Sequence, residues 1–346
     1  LYIMMKKQSN RGQDGVGVAN IKMGVAPGQR YISRYRTINS EPVEEIFTKI
    51  AKKFAKAKKK EGYNPKSAQW LKNNMGFTGE VWLGHIRYGT HGTNSIESCH
   101  PFLRQNNWRS RNLVMAGNFN MTNVDELFDI LLRLGQHPKE KTDTVTVMEK
   151  IGHFIDEENQ RIFDKYKKKK ENHEITDIIE NEMDLQRVLK RSFKDFDGGY
   201  AMVGLLGHGA SFVVRDPNGI RPAYKYIDDE VIVVASEKQA IKAAFNVKYN
   251  EITDVQPGHA LIIHKSGEWD EVPIMKQQEL KACSFERIYF SRGNDPEIYQ
   301  ERKQLGRLLV PQILKAINFD LRNTVFSYIP NSAEVSFLGM MQGLDD

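Results

Sequence analysis

Three segments of the sequence carry groups that could together bind an amino acid. Arg87 ends an apolar run and precedes a glycine turn, Gly117 and Asn118 follow a second apolar run, and Asp143 begins a helical pattern. A guanidinium at a strand end can hold a carboxylate with two parallel hydrogen bonds. A carboxylate can hold an ammonium group, and backbone N–H groups at a Gly-Asn turn can hold a carbonyl oxygen. The three segments therefore predict a pocket that binds a free amino acid.

Each of these residues also has a purely structural interpretation. Most arginines are solvated, so Arg87 alone is compatible with a surface salt bridge. Thr142 or Asp143 caps the helix that begins here, so Asp143 could serve only as an N-cap, and Gly117 could serve only as a turn residue. A functional pocket is favoured because the three residues occur together, at the ends of predicted strands and at the start of a predicted helix.

The composition indicates a globular protein of about two domains. The 346 residues include 40% hydrophobic and 10% aromatic residues, which is enough for buried cores. Lysine and arginine exceed aspartate and glutamate by 50 to 44, a net charge of +6, with much of the excess in residues 52–60 and 167–170. We interpret these basic runs as solvated helix faces and predict no nucleic-acid partner.

The two cysteines, Cys99 and Cys283, exclude a disulfide framework and fit the reducing cytoplasm. They are too few for a four-cysteine iron–sulfur cluster, so no such cluster is expected from this segment. No apolar stretch reaches the roughly 18 residues of a transmembrane helix, and no signal peptide is visible. The sequence therefore predicts a cytoplasmic protein without a membrane partner.

Hydrophobic periodicity predicts alternating helices and strands up to about residue 276. Apolar positions three and four residues apart predict helices over residues 43–61, 124–134, 143–156 and 177–196, with Asn123 capping the second and a charged loop over 159–175. Period-two patterns predict strands over residues 16–23, 79–87, 111–115, 200–206, 211–215, 231–236 and 260–264. Helices on both sides of antiparallel strands indicate a layered α/β/β/α domain.

The pattern changes after residue 277. It predicts a strand over 283–290, a helix over 297–318, a strand over 324–329 and a helix over 333–344. The order strand–helix–strand–helix is typical of the beginning of a parallel sheet. About sixty residues cannot close such a sheet, so we expect residues 277–346 to form an incomplete second domain.

The sequence resembles the class II glutamine amidotransferases over nearly its whole length. Residues 10–17 resemble the family's Arg-Gly-Gln segment, and residues 84–92 with 99–101 resemble its glutamine-carboxylate loop and the His-Pro or Gln-Pro step that follows. Residues 216–222 and 235–237 resemble its Asp-Pro-x-Gly-Ile-Arg-Pro and Ser-Glu segments. Residues 285–306 resemble the start of the phosphoribosyltransferase domain in the amidophosphoribosyltransferase branch. Other class II amidotransferases share the glutamine loop but not this last segment.

The resemblance implies an α/β protein. Residues 1–276 would form a four-layer αββα N-terminal-nucleophile hydrolase domain that lacks its N-terminal strand. Residues 277–346 would begin a type I phosphoribosyltransferase-like α/β domain. The family's nucleophile is a cysteine at the mature N-terminus, whose free α-amine serves as the base. That cysteine is expected upstream of Leu1, and Cys99 and Cys283 are interpreted as structural.

The resemblance also assigns roles to individual pocket residues. Arg87 would hold the α-carboxylate of glutamine, and Asp143 would hold its α-ammonium group. Thr90 and His100 would line the pocket. Arg11 would support the strand that carries the nucleophile.

Two alignments of the oxyanion segment remain open. One places the backbone N–H of Gly117 in the oxyanion hole and Ala116 at the position of the family's donor asparagine, with two extra residues afterwards. The other has no insertion, and it places Asn118 at the donor asparagine and Phe119 at the family's glycine. Loss of one oxyanion donor, as in the first alignment, typically costs about 10²–10³ in rate.

In the second domain, residues 329–332 resemble the family's Pro-Asp-Ser or Pro-Glu-Thr segment. The hydroxyl of that segment approaches magnesium-bound phosphoribosyl pyrophosphate. Ser332 is therefore a candidate residue for the Mg²⁺ site, although Asn331 replaces an acidic residue. The family's acidic phosphate loop does not occur in the sequence.

The resemblance thus implies a homo-oligomeric enzyme that hydrolyses glutamine and passes ammonia to phosphoribosyl pyrophosphate, giving phosphoribosylamine in purine biosynthesis. The alternative is a catalytically degenerate homologue that binds glutamine or nucleotide and regulates a partner, which Ala116 favours. A third interpretation is another class II amidotransferase, such as a glucosamine-phosphate synthase, and the pattern at residues 299–306 argues against it.

Overall fold

The computed structural model describes residues 1–89, 95–138, 140–331 and 333–346. Its helices are Tyr2–Lys7 (α1), Pro42–Ala57 (α2), Ala68–Asn74 (α3), Val124–Arg133 (α4), Asp143–Tyr166 (α5), Asn172–Glu182 (α6), Leu185–Phe193 (α7), Lys238–Phe245 (α8), Pro296–Ala316 (α9) and Glu334–Asp345 (α10). Its strands are Gly15–Ile21 (β1), Ile32–Thr37 (β2), Val81–Arg87 (β3), Phe102–Arg104 (β4), Leu113–Met121 (β5), Gly198–Leu206 (β6), Ser211–Arg215 (β7), Tyr224–Ile227 (β8), Ile232–Ala235 (β9), Thr253–Asp254 (β10), His259–Ile263 (β11) and Trp269–Pro273 (β12).

Two antiparallel sheets face each other in the centre of the molecule. Strand β1, buried at every position, pairs with β2 on one side and β3 on the other. The second sheet has six strands in the order β12-β11-β7-β6-β5-β4. An apolar cluster joins Ala19 and Leu83 of the first sheet to Val114, Ala116 and Leu205 of the second. The two inner faces therefore form one core, as in other face-to-face sheet packings.

Helices cover both outer faces of this sandwich. On the smaller sheet, α2 packs Val43 and Ile46 against Val18 of β1. On the larger sheet, α4 to α7 bury an apolar layer that includes Ile151 and Val188. The order α/β/β/α confirms the layered domain predicted from the sequence. A third sheet, with the order β10-β8-β9, packs with α8 beside α1.

The charged region after residue 156 is helical, so the loop predicted over 159–175 is wrong. Helix α5 continues through it to Tyr166, and α6 follows after a short turn. Ile162, Ile175 and Ile179 are fully buried against the larger sheet. A few apolar residues at helical spacing are enough to dock the helices, while the charges remain on the solvent side.

Helix caps account for two further differences from the sequence-based prediction. The helix predicted over 177–196 is divided in two, because the Asp184 carboxylate accepts the N–H of Arg187 and starts α7. Asn123 precedes α4 as predicted but does not cap it through its side chain. Its amide donates instead to the carbonyl of Asp195, 2.8 Å away.

Strands β2, β4, β8, β10 and β12 were not predicted. Four of them, β2, β4, β10 and β12, lie at sheet edges. Edge strands are partly exposed on both faces, so the period-two pattern of buried and exposed residues is weak in them. Within the described residues, no helix is long and apolar enough to cross a membrane.

The last segment is helical or irregular where two strands were predicted. Residues 283–290 contain the π-helical turn Glu286–Phe290, and residues 324–329, all of them described, form no strand. A strand needs a neighbouring strand to satisfy its backbone groups, and the nearest elements here are helices. Helices α9 and α10 pack closely as a hairpin, since a Cβ on Gly306 would lie 1.8 Å from the carbonyl oxygen of Ser336.

Candidate active site

A cavity of about 1560 Å³ opens between β3, β5, β9 and the first turn of α5. Two residues predicted for the site, Thr90 and Ser332, lie outside the described residues. The structure brings together the three segments that the sequence predicted to act jointly. Six predicted site residues line the cavity: Arg11, Arg87, His100, Gly117, Asn118 and Asp143.

Arg87 is the last residue of β3, as the apolar run before it predicted. The Asp14 N–H donates to the carbonyl of Arg87 at 3.1 Å, and the Asp14 carboxylate accepts the N–H of Gly89 at 2.6 Å. Gly12 passes so close that a Cβ there would lie 2.3 Å from the Arg87 carbonyl oxygen. The segment before β1 therefore fixes the strand end that carries the guanidinium.

Asp143 begins α5 at the cavity wall, but it is not the helix cap. Thr142 has that role, because its hydroxyl accepts the N–H of Val145 at 3.3 Å. The Asp143 Oδ1 accepts the N–H of Thr144 at 2.6 Å and its hydroxyl at 3.2 Å. The structural interpretation of Asp143 as the N-cap is therefore wrong, and its carboxylate is available to a ligand in the cavity.

Two stacked histidines, of which only His100 was predicted as a site residue, line the cavity. The rings of His85 and His100 are 4.4 Å apart and nearly parallel. Burial lowers the pKa of His85 to about 4 and brings the pKa of His100 well below its ordinary value, so both are neutral at pH 7. His100 Nδ1 accepts the N–H of Gly117 at 3.3 Å, and His85 Nε2 lies 3.1 Å from the Gly117 carbonyl oxygen.

The Gly117-Asn118 turn predicted from the sequence is wrong. Both residues lie inside β5, which pairs residue for residue with β6 from Leu113 to Met121 and contains no bulge. The N–H of Gly117 points away from β6 and is occupied by His100. Because N–H groups alternate in direction along a strand, the N–H of Phe119 points to the same side as that of Gly117, at the next position.

Ala116 is 2% exposed, packs in the apolar core between the sheets and also contributes to the cavity wall. An asparagine there would place a larger, polar side chain among buried apolar ones, so we expect Ala116→Asn to destabilise the protein by about 1–3 kcal/mol. Urea unfolding measures this change. Unchanged stability would mean that the cavity accommodates the new amide.

The two cysteines do not line the cavity. Cys99 is fully buried beside the Thr37 carbonyl, and burial raises the pKa of its thiol. Cys283 lies 3.9 Å from the guanidinium of Arg221. A nucleophile must be present as a thiolate and must reach the substrate, so neither cysteine fits that role.

Arg11, which was expected to support the nucleophile strand, belongs to a buried cluster of charges that the sequence did not predict. Arg11 forms ion pairs with Glu237, at 3.2 Å, and with Glu286. Arg221 pairs with Glu286 at 3.0 Å. These residues belong to the segments that resemble family motifs, but they are up to 275 positions apart in the chain. Only the folded structure shows that they meet, and that the guanidinium of Arg11 is engaged by protein carboxylates.

Two strand edges face the cavity. Strand β3 is at the edge of the first sheet and β9 is at the edge of the third, and residues of both line the cavity. A strand edge presents backbone N–H and C=O groups that can pair with another extended segment. The space between β3 and β9 is therefore suited to an additional strand.

The four-layer sandwich with its central cavity is the architecture expected for a class II glutamine amidotransferase. The curated proteins to which the chain is similar are amidophosphoribosyltransferases. The Archaeoglobus fulgidus protein is 28% identical over 268 residues, which cover 76% of this chain and 50% of that protein. The Methanocaldococcus jannaschii protein is 26% identical over 359 residues, which cover 99% and 62%. No family model matches the chain.

Two solved structures share the fold over 99% of the chain. One is glutamine phosphoribosylpyrophosphate amidotransferase from Bacillus subtilis in complex with ADP and GMP, with a TM-score of 0.62, 22% identity and 61% of that chain covered. The other is an allosteric regulatory enzyme of purine biosynthesis, with a TM-score of 0.63, 22% identity and 60% covered. These matches confirm the predicted fold class. The chain spans about half of the Archaeoglobus protein and about three-fifths of the Bacillus structure.

Proposed function

We propose that the protein is a glutamine-dependent amidophosphoribosyltransferase. Glutamine is hydrolysed in the cavity, and the ammonia displaces pyrophosphate from phosphoribosyl pyrophosphate, giving phosphoribosylamine for purine biosynthesis. The observation that supports this best is the convergence of Arg87, Asp143 and Asn118 on one cavity. These three groups complement the carboxylate, the ammonium and the reacting amide of glutamine.

In this proposal, Arg87 binds the α-carboxylate with its planar fork of donors, and Asp143 binds the α-ammonium. His100 lines the pocket, and Thr90 is assigned the same role from the sequence. The oxyanion donors are the side-chain amide of Asn118 and the N–H of Phe119. The unbroken pairing of β5 supports this alignment over the one with two extra residues, because an insertion would require a bulge.

The nucleophile in this proposal is a cysteine on an extended segment that precedes Leu1. Such a segment would pair with the edges of β3 and β9 and carry its thiol past the end of Arg87. The ion pairs of Arg11 with Glu237 and Glu286 would support that segment from below. The α-amine of the cysteine would take the thiol proton, as the family resemblance implies.

The second half of the reaction is assigned to residues 277–346 and the domain they begin. Mg²⁺ would assist binding of phosphoribosyl pyrophosphate, and Ser332 is the sequence-based candidate near it. Within the described residues, no group of three or more His, Cys, Asp or Glu is placed to hold a metal ion. A homo-oligomeric, cytoplasmic enzyme is part of the same proposal, and its two free cysteines fit that location.

Asp143→Asn should weaken glutamine binding without unfolding the protein. The variant removes the charge that faces the ammonium, and we expect the KM for glutamine to rise by a factor that corresponds to about 1.5–3 kcal/mol. Thr142 still caps α5, so the melting temperature should change little. Asp164→Asn, on the exposed far end of the same helix, is the control and should leave both quantities unchanged. A large loss of melting temperature with an unchanged KM would mean that Asp143 stabilises the fold and does not bind glutamine.

The overall proposal is tested with the full-length protein by following glutamate and pyrophosphate together. Glutamine with phosphoribosyl pyrophosphate should release both products, and ammonium chloride should replace glutamine as the nitrogen source. Glutamate release without any pyrophosphate release would mean that the protein is a glutaminase of another class. Tight glutamine binding without release of either product would support the regulatory alternative.

A further inference from the structure

A carboxylate from the segment that follows the sandwich forms part of the cavity wall. Glu286 is 2% exposed and lies in the first position of the π-helical turn. Its Oε1 accepts the Asn118 amide at 2.6 Å and the Arg221 guanidinium at 3.0 Å, and its Oε2 accepts Arg11. Glu286 is therefore the one residue in this cluster that contacts the candidate oxyanion donor directly.

We propose that Glu286 is a positioning residue that orients the Asn118 amide for glutamine hydrolysis. This inference rests on the proposed function. A side-chain amide has two N–H groups, and one of those on Asn118 is directed at Glu286. That contact fixes the rotation of the amide plane. The second N–H is then held toward the cavity, where the carbonyl oxygen of glutamine would lie.

The charge of Glu286 matters for this role. A hydrogen bond to an ionised carboxylate is roughly twice as strong as one to a neutral acceptor. Arg11 and Arg221 are placed on the same carboxylate and supply the opposite charge, so it can accept from all three side chains at once. A neutral amide at this position would offer one acceptor oxygen and one competing donor group.

The turn that carries Glu286 is itself held by other parts of the chain. Arg302 of α9 donates from Nη2 to the carbonyls of Ile288, at 2.7 Å, and Ser291, at 2.6 Å. On the other side, the Asn10 amide donates to the carbonyl of Phe290 at 2.5 Å. The donor asparagine of the sandwich is thus aligned by a segment outside it, and residues 286–302 are required for fast hydrolysis.

Glu286→Gln in the full-length protein tests the inference. We expect kcat for glutamine hydrolysis to fall about 10-fold, less than the 10²–10³ that complete loss of a donor costs, with KM for glutamine nearly unchanged. Ammonia-dependent transfer should stay at its wild-type value, whereas the melting temperature should fall, because Arg11 and Arg221 lose their buried charged partner. Glu301→Gln is the matched control, because it breaks the exposed Arg287 pair on the same segment without reaching Asn118.

The decisive comparison uses the double variant that combines Glu286→Gln with Asn118→Ala, and it measures kcat for glutamine hydrolysis. If Glu286 acts through Asn118, Glu286→Gln slows the Asn118→Ala protein by less than about 3-fold, since coupled residues are not additive. Independent, multiplicative losses would overturn the inference, as would a wild-type kcat or a parallel loss of ammonia-dependent activity. A wild-type protein that releases no glutamate would refute the proposed function itself, which is a different result from any of these.

Discussion

Asn118→Ala in the full-length protein should slow glutamine hydrolysis about 10²–10³-fold, because the oxyanion that forms on the amide carbonyl loses a hydrogen-bond donor. The KM for glutamine should change little, since this donor acts mainly in the transition state. Asn120→Ala removes the same group from the same face of β5, two residues further along, and serves as the control. Steady-state glutamate release measures both.

An Asn118→Ala protein with wild-type kcat would show that the oxyanion donor lies elsewhere. A large loss in Asn120→Ala with none in Asn118→Ala would move the site two residues along the strand. Ammonia-dependent transfer should be unchanged in both variants, because it does not use the oxyanion hole.

Arg87→Lys should raise the KM for glutamine by about 10-fold to 100-fold, while ammonia-dependent transfer stays intact. Lysine keeps the charge but replaces a planar fork with a single ammonium, which should cost about 1.5–3 kcal/mol. Arg191→Lys, at an exposed ion pair on the outer helix layer, is the control. Equal losses of glutamine-dependent and ammonia-dependent activity in Arg87→Lys would indicate that Arg87 has a structural role.

The end of β3 at Arg87 and the start of α5 at Asp143 were predictable, because the sequence patterns that mark them lie within a few residues of each position. An apolar run followed by glycine marks a strand end, and a polar residue before an apolar helical pattern marks a helix start. The layered fold was predictable for the same reason, because apolar runs bounded by turn residues mark the core strands, even where every position is buried, as in β1 and β7.

The oxyanion segment was mispredicted because Gly-Asn is a strong local turn signal. In the folded protein, nine residues of β5 pair with nine of β6, and that pairing overrides the local preference. The N–H of Gly117 is satisfied by His100, 17 positions away, which no local pattern could indicate. The same holds for Glu286, whose partners Arg11 and Asn118 are 275 and 168 positions away.

The position of Ala116 also changes the weight of the regulatory alternative. One of the two alignments placed Ala116 at the position of the family's donor asparagine. Ala116 packs in the core between the sheets and lines the cavity together with Asn118, which lies on the same face two residues later. If Asn118 is the oxyanion donor, as proposed, Ala116 gives no reason to expect a degenerate homologue.

The central claim is that the cavity binds glutamine by both ends of its amino-acid backbone. The most direct measurement compares the kcat/KM with which the full-length protein hydrolyses the side-chain amide of L-glutamine and the amides of two analogues. Ammonia release follows the reaction in each case. Glutaramic acid keeps the carboxylate and lacks the ammonium, and 4-aminobutanamide keeps the ammonium and lacks the carboxylate. We predict that each analogue loses a factor of about 10 to 100 in kcat/KM, that Asp143→Asn no longer affects the first, and that Arg87→Lys no longer affects the second. Equal kcat/KM for all three amides, or variant effects that are the same for each, would contradict the account.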